Sequence, residues 1–359
     1  MHPAQERHWT YGSGARIVED MSSVTPSAGP SAGPHAAPAS GLQPPTLRDV
    51  LAAQARLDGL VVRTPVARYA EVDAAAGTAV VVKHENLQHT GAFKVRGALN
   101  LLLGFDATAR ARGIVAYSTG NHAQALAYAA RHTGTGCTIV MPERPNPVKE
   151  RAVRALGARV VLHGATFDDA RLHAEAVAGE TGARLVGAAN EPALVAGVAT
   201  ATWELLQQAP DLDVLVVPVG GGSGAAAACL VARALAPQVQ VVGVQSAASP
   251  AAHDSWAAGE LVARPNATRA EGLAVGTGFA LTQHVMRAAL ADFLLVSDDE
   301  IAAAQRLYLT GARTVAEGAG AAALAAVLAH PDRFAGRTVG VVCSGGNAAE
   351  AELVRALRA

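Results

Sequence analysis

Lysine is scarce in this chain of 359 residues: of 29 basic side chains, only Lys83, Lys94 and Lys149 are lysine, and the rest are arginine. Lys94 has the setting that carbonyl chemistry needs. It sits in Thr90-Gly91-Ala92-Phe93-Lys94-Val95-Arg96-Gly97-Ala98, where apolar neighbours favour desolvation of its ammonium. Desolvation lowers a lysine pKa and frees the amine to attack a carbonyl, as a Schiff base requires. The competing reading is a lysine whose stem packs on the core while its head reaches water.

Three further segments carry polar chemistry. Gly220-Gly221-Gly222-Ser223-Gly224 lets backbone amides approach a phosphate with no side chain in the way, at the positive end of a following helix. A flexible linker has the same composition, but a place between a buried strand and a helix favours the phosphate cradle. The loop also fits a loose dinucleotide fingerprint, which needs an acid about 20 residues later. Gln245 and Ser246 stand there instead, so a phosphate monoester fits better than a dinucleotide. Ser118-Thr119-Gly120-Asn121-His122 could hold a carboxylate or an aromatic hydroxyl at a helix N-terminus, or be a plain N-cap. Ser344-Gly345-Gly346-Asn347 presents another hydroxyl, and alone it is a turn signal.

These segments follow short β-branched runs. Such runs lie at 79–83, 113–117, 137–141, 158–162, 183–187, 214–219, 239–245, 293–296 and 338–343. Several are nearly continuous Val, Ile and Leu, as in parallel strands buried on both faces. Alanine-rich helical stretches at 122–132, 147–156, 167–181, 192–208 and 298–313 separate many of them. Ser297 and Glu300 have capping-box spacing before the last. The fold class expected is α/β: open, twisted, mostly parallel sheets with helices on both faces, where ligands bind at the carboxyl ends of strands.

Composition narrows the function. A formal net charge of −1 lacks the basic excess that phosphate-backbone binding demands, so no nucleic-acid partner is expected. No apolar run of about 18 residues or signal-peptide core is present, and Cys137, Cys229 and Cys343 form no CxxC pair. A cytoplasmic protein with no membrane partner is the expectation. Residues 1–45, rich in Pro, Ala, Ser and Gly, are expected to form a disordered tail, with Met21 a second candidate start.

Taken in order, the lysine motif, the Ser-x-Gly-Asn-His loop, the glycine loop and the closing Ser-Gly-Gly-Asn resemble the serine/threonine dehydratase family. These are pyridoxal-phosphate enzymes of the tryptophan synthase β-like fold, and the resemblance runs from about Thr46 to the end. It implies a large domain of 46–111 and 194–359, a small domain of 113–193, the cofactor in the cleft between them, and a homodimer. It implies that Lys94 forms the Schiff base with pyridoxal 5'-phosphate and removes the substrate α proton, and that Phe93 packs on the ring. Asn121 would bond the ring hydroxyl, Ser118, Thr119, Gly120, Asn121 and His122 would take the substrate carboxylate, and Ser344 would face the pyridine nitrogen. Gly220, Gly221, Gly222, Ser223 and Gly224 would wrap the phosphate, and Glu317 matches a family glutamate near the cofactor. Lys83 and Lys149 also fall where the family has lysine. The implied reaction is β-elimination and deamination of a β-hydroxy amino acid of the L-threonine or L-serine type, giving a 2-oxo acid and ammonia.

Departures from the family pattern limit the substrate. Ala92 stands for serine, Thr119 for alanine or serine, Ser223 for a fourth glycine and Val198 for glutamine. The Ala92 and Thr119 pair resembles hydroxyectoine-pathway dehydratases, so the substrate need not be threonine. Thr119 leaves an amino-acid racemase open. A β-replacement synthase of the same fold stays open too, as does a non-catalytic protein that binds a nucleotide or pyridoxal phosphate. Some members bind a divalent cation through a glutamate and an aspartate; here Gln245 and Ala251 stand there, so no metal is expected. The chain stops soon after the Ser344 motif, so no regulatory domain of the biosynthetic threonine enzymes is expected.

Overall fold

A computed structural model describes residues 43–145 and 147–359. Of the segment expected to be a tail, all but 43–45 lies outside the described residues. Ten strands are present among them: β1 (Val66–Ala67), β2 (Ala79–Lys83), β3 (Ile114–Tyr117), β4 (Cys137–Met141), β5 (Arg159–Leu162), β6 (Arg184–Leu185), β7 (Val214–Pro218), β8 (Gln240–Ser246), β9 (Asp292–Val296) and β10 (Thr338–Val342). They form a six-stranded sheet in the order β1-β2-β10-β7-β8-β9 and a four-stranded sheet in the order β5-β4-β3-β6. Every pairing is parallel except β1 with β2. The α/β architecture expected from the alternating runs is therefore present.

Differences from the sequence reading are local. The run at 183–187 shortens to β6, an edge strand with β3 as its single neighbour. The helix expected over 298–313 is Asp298–Thr310, closed at Gly311, and its start carries the Ser297–Glu300 capping box. Helices at Phe167–Thr181 and Pro192–Gln208 span the expected residues.

Burial explains why the central strands read as unbroken apolar runs. Leu215, Val216, Val241 and Val244 are all at most 3% exposed, covered from both faces. One cover is the helix Gly318–Ala329, which is apolar all round because the molecule encloses it. In the four-stranded half, the helix Lys94–Leu103 sends Val95, Ala98, Leu99 and Leu102 into a core with Ile114, Leu126 and Ile139.

Around Arg96 lies a charge-neutral buried quartet. Arg96 binds Glu85 through Nε (2.8 Å) and Nη2 (2.9 Å), and Glu204 through Nη1 (2.7 Å) and Nη2 (2.9 Å). Lys83 Nζ donates to Glu204 Oε2 at 2.7 Å. Each charge thus has an opposite partner, the condition for retaining it away from water. The quartet ties β2 and the helix Pro192–Gln208 to the first turn of the helix that begins at Lys94.

Candidate active site

The carboxyl ends of β3, β7 and β10 lead into the Ser118, Gly220 and Ser344 segments, where an α/β sheet places its ligand. Lys94, at the start of its own helix, points at the second of these: Nζ donates to Ser223 Oγ at 2.8 Å and to Ala188 O at 3.3 Å. Burial pushes its pKa down to about 8, so a substantial fraction of the amine is neutral near physiological pH. The sequence reading of a desolvated lysine, rather than one reaching into water, matches this setting.

The Gly220 segment is shaped by close approach. A Cβ on Gly220 would stand 2.2 Å from Gly272 O, and Gly222 adopts φ +88°, the left-handed region. Gly222 is the N-cap of the helix Ser223–Leu235 and supplies no side-chain cap. The N–H groups of residues 220–224 donate to no acceptor among the described residues. A second open helix N-terminus lies at Asn121–Thr133, capped only by Gly120, while Ser118 Oγ accepts from the Gly120 N–H at 3.2 Å. Two sets of free backbone donors therefore stand ready for anions.

Phe93, Gly224, Val198 and Ser344 line one cavity. The Phe93 N–H donates to Ser344 O at 3.1 Å, and Ala92 forms a bridge with Gly345, so the lysine segment and the β10 end are stitched together. Asn121 reaches the same place, where its Nδ2 donates to Glu317 Oε1 at 2.5 Å. His122 is placed differently from its neighbours. Its imidazole is 5% exposed, and burial together with the Lys94 charge holds its pKa down to about 3. A neutral ring turned to Val186 O leaves only its backbone N–H for an anion. Thr119, partly exposed, sits in the open loop.

Lys149 is paired with Glu271 in the turn that carries Gly272. Lys83 is taken up by the buried quartet. Gln245 Oε1 accepts from the Ala252 and His253 N–H groups at 3.1 and 3.0 Å, so its amide caps the helix Ala251–Ala258. Two residues had no site role in the sequence reading. Asn347 donates to Asn121 and Thr90, and Glu352 caps Gly318. Asn347 closes the Ser-Gly-Gly-Asn motif and was legible there; Glu352 comes from the last helix with no motif around it.

A family model described as pyridoxal-phosphate dependent enzyme matches residues 57–345. The chain belongs to that family. An L-threonine ammonia-lyase of Thermotoga maritima is 39% identical over 305 residues, covering 84% of this chain and 75% of the relative. A beta-hydroxyaspartate dehydratase of Paracoccus denitrificans is 36% identical, covering 84% and 96%. Among solved structures, serine racemase from Dictyostelium discoideum superposes with TM-score 0.80 at 32% identity, covering 85% of this chain and 99% of that one.

The residues of this pyridoxal-phosphate enzyme fit its cofactor on their own chemistry. Lys94 is a poised amine, and the 220–224 amides, which have no acceptor among the described residues, form an open cradle whose backbone packs too tightly on Gly272, Thr282 and Met286 for a Cβ at Gly220 or Gly222. Phe93 and Ser344 border the cavity beside it. Among the described residues, no cluster of His, Cys, Asp and Glu has metal-binding geometry, and no helix is long and apolar enough to cross a membrane.

Proposed function

We propose that this enzyme catalyses β-elimination and deamination of a β-hydroxy amino acid, releasing a 2-oxo acid and ammonia. The observation that carries the reading is the Lys94 amine, 2.8 Å from Ser223 Oγ at the mouth of the glycine cradle. Relatives named for L-threonine and beta-hydroxyaspartate support the substrate class.

In this reading the 220–224 amides and the dipole of the helix Ser223–Leu235 would hold the cofactor phosphate. Phe93 would cover a ring face, Asn121 would bond the ring oxygen and Ser344 would meet the pyridine nitrogen. The free N–H groups at the start of Asn121–Thr133 bind the substrate carboxylate, which orients the α C–H toward Lys94. Lys94, as neutral amine, takes the α proton as general base. Pyridoxal phosphate, when bound, supplies a conjugated ring that delocalises the resulting negative charge. Serine is too weak an acid to protonate a pyridine nitrogen, so Ser344 would favour prompt loss of the β-hydroxyl, which leaves as water with the proton that Lys94 has taken; the enamine released becomes an imine, and water converts it to the 2-oxo acid and ammonia.

The two separate sheets support a large domain of 46–111 and 194–359 and a small one of 113–193 with the cofactor between them. Family resemblance supports a homodimer, and three unpaired cysteines suit the reducing cytoplasm. Racemisation is the second reading, favoured by the Thr119 hydroxyl in the carboxylate loop and by likeness to serine racemase. The test is an assay of ammonia and 2-oxo acid from L-serine, L-threonine and acidic or bulkier β-hydroxy amino acids, with chiral analysis of recovered substrate. Ammonia in step with 2-oxo acid supports the lyase; inverted substrate without ammonia overturns it.

A further inference from the structure

Glu317 occupies the N-cap of the helix Gly318–Ala329, yet its carboxylate makes no capping bond. Glu352 takes that task, its Oε1 accepting from the Gly318 N–H at 2.6 Å. Glu317 is turned instead to Asn121. The other end of the Asn121 amide is also committed, because Oδ1 accepts from Asn347 Nδ2 at 2.8 Å. The same Asn347 nitrogen donates to Thr90 O at 2.8 Å, which fixes its own orientation. Packing leaves little slack: a Cβ on Gly345 would stand 2.2 Å from Glu317 Oε1 and 3.1 Å from Asn121 Nδ2.

A carboxamide can turn so that its oxygen and nitrogen exchange places, and its partners decide the orientation. Here both partners have fixed polarity. An ionised carboxylate only accepts, and the Asn347 nitrogen only donates. Asn121 is left with one N–H to offer.

We propose that Glu317 and Asn347 are positioning residues that lock the Asn121 amide with its N–H toward the cofactor, so that the ring oxygen is bound in its anionic, accepting form. This rests on the reading in which Asn121 meets the ring oxygen. Protonation of Glu317 removes its acceptor-only character and loosens the lock. Glu317 is faced by Lys149, Glu271, Glu352 and Cys343; burial pushes its pKa up to about 7, against the pull of Lys149 and Asn121. The lock accordingly weakens as pH falls through neutrality.

The test uses the pyridoxal-phosphate-loaded protein in wild-type, Glu317→Gln, Glu317→Asp, Asn121→Ala and Asn121→Ala/Glu317→Gln forms. The measurements are the visible absorption band against pH and the cofactor affinity by equilibrium dialysis, with circular dichroism confirming the fold. The expected wild-type band changes in a step near pH 7. Glu317→Gln loses the step, shifts absorption toward the near-ultraviolet and loosens cofactor binding about tenfold, whereas Glu317→Asp keeps a step. In the Asn121→Ala background, Glu317→Gln adds no further change. The proposal is overturned if Glu317→Gln titrates and binds like wild type, or if its effect is the same with and without Asn121. A wild-type protein with no visible band would instead sink the cofactor assignment itself.

Discussion

Lys94 Nζ and Ser223 Oγ are 2.8 Å apart, although one residue opens a helix packed on the four-stranded sheet and the other begins a helix after β7 of the six-stranded sheet. The contact brings the amine to the lip of the glycine cradle. Its lowered pKa sets a pH dependence for cofactor capture. Only the neutral amine attacks a carbonyl, so the rate at which cofactor-free protein takes up pyridoxal phosphate rises with pH and levels off above about 8. Stopped-flow absorbance at fixed cofactor concentration checks this, and a plateau reached only near the usual lysine pKa would contradict it.

The buried quartet should dominate the response to charge removal. Glu204→Ala leaves Lys83 and Arg96 with one shared acid where there were two, and it is expected to cost about 3–5 kcal/mol. Glu204 and Arg96 are at most 2% exposed, so water offers no relief. Urea denaturation of wild type and variant measures the loss, and a difference under about 1 kcal/mol would be the value of a surface pair instead.

Glycine substitutions should separate backbone crowding from open space. Gly220→Ala drives a methyl group into the Gly272 carbonyl at 2.2 Å, where only backbone movement can relieve it. Gly224→Ala meets Val217 Cγ1 at 3.5 Å and Phe93 Cζ at 3.7 Å, ordinary contacts. Thermal denaturation without cofactor should show a clear fall in Tm for the first and little change for the second.

Glu317 gives the stability curve a sign. Its folded pKa of about 7 lies above the usual 4.5, so between these values the folded protein keeps a proton that the unfolded chain has released. The stabilising contribution is complete below about 4.5 and is lost as pH rises to about 7, by roughly 2–3 kcal/mol. Glu317→Gln is expected to remove that decline from denaturation curves of cofactor-free protein between pH 5 and pH 7.5. Equal slopes in both proteins would show that the carboxyl titrates normally.

Chelation tests the cation reading at β8. Gln245 uses its amide oxygen to cap the following helix and carries no charge. Exhaustive treatment with EDTA should leave Tm and rate unchanged, and restoration of lost activity by Mg²⁺ would contradict the expectation.

Much of the fold was legible because buried parallel strands need apolar residues on both faces, as in 214–219 and 338–343. The two-residue β1 was not, since Val66 and Ala67 follow Pro65 with no alternating pattern around them. The helix Gly318–Ala329 was missed because uniform burial erases the 3.6-residue period. In the site, Lys94 and the glycine loop announce their chemistry locally. Asn121 does not: its orientation depends on Glu317 and Asn347, 196 and 226 residues away, and side-chain pairs of that separation leave no spacing to read.

The central claim is that Lys94 makes this chain a lyase for β-hydroxy amino acids. The direct measurement follows ammonia and 2-oxo acid from pyridoxal-phosphate-loaded wild type and Lys94→Ala, each incubated with a panel of β-hydroxy amino acids. The expected result is equimolar release of both products from at least one substrate by wild type and none by Lys94→Ala. Release that persists without the Lys94 amine, or a loaded wild type that returns every substrate without ammonia, would contradict the account.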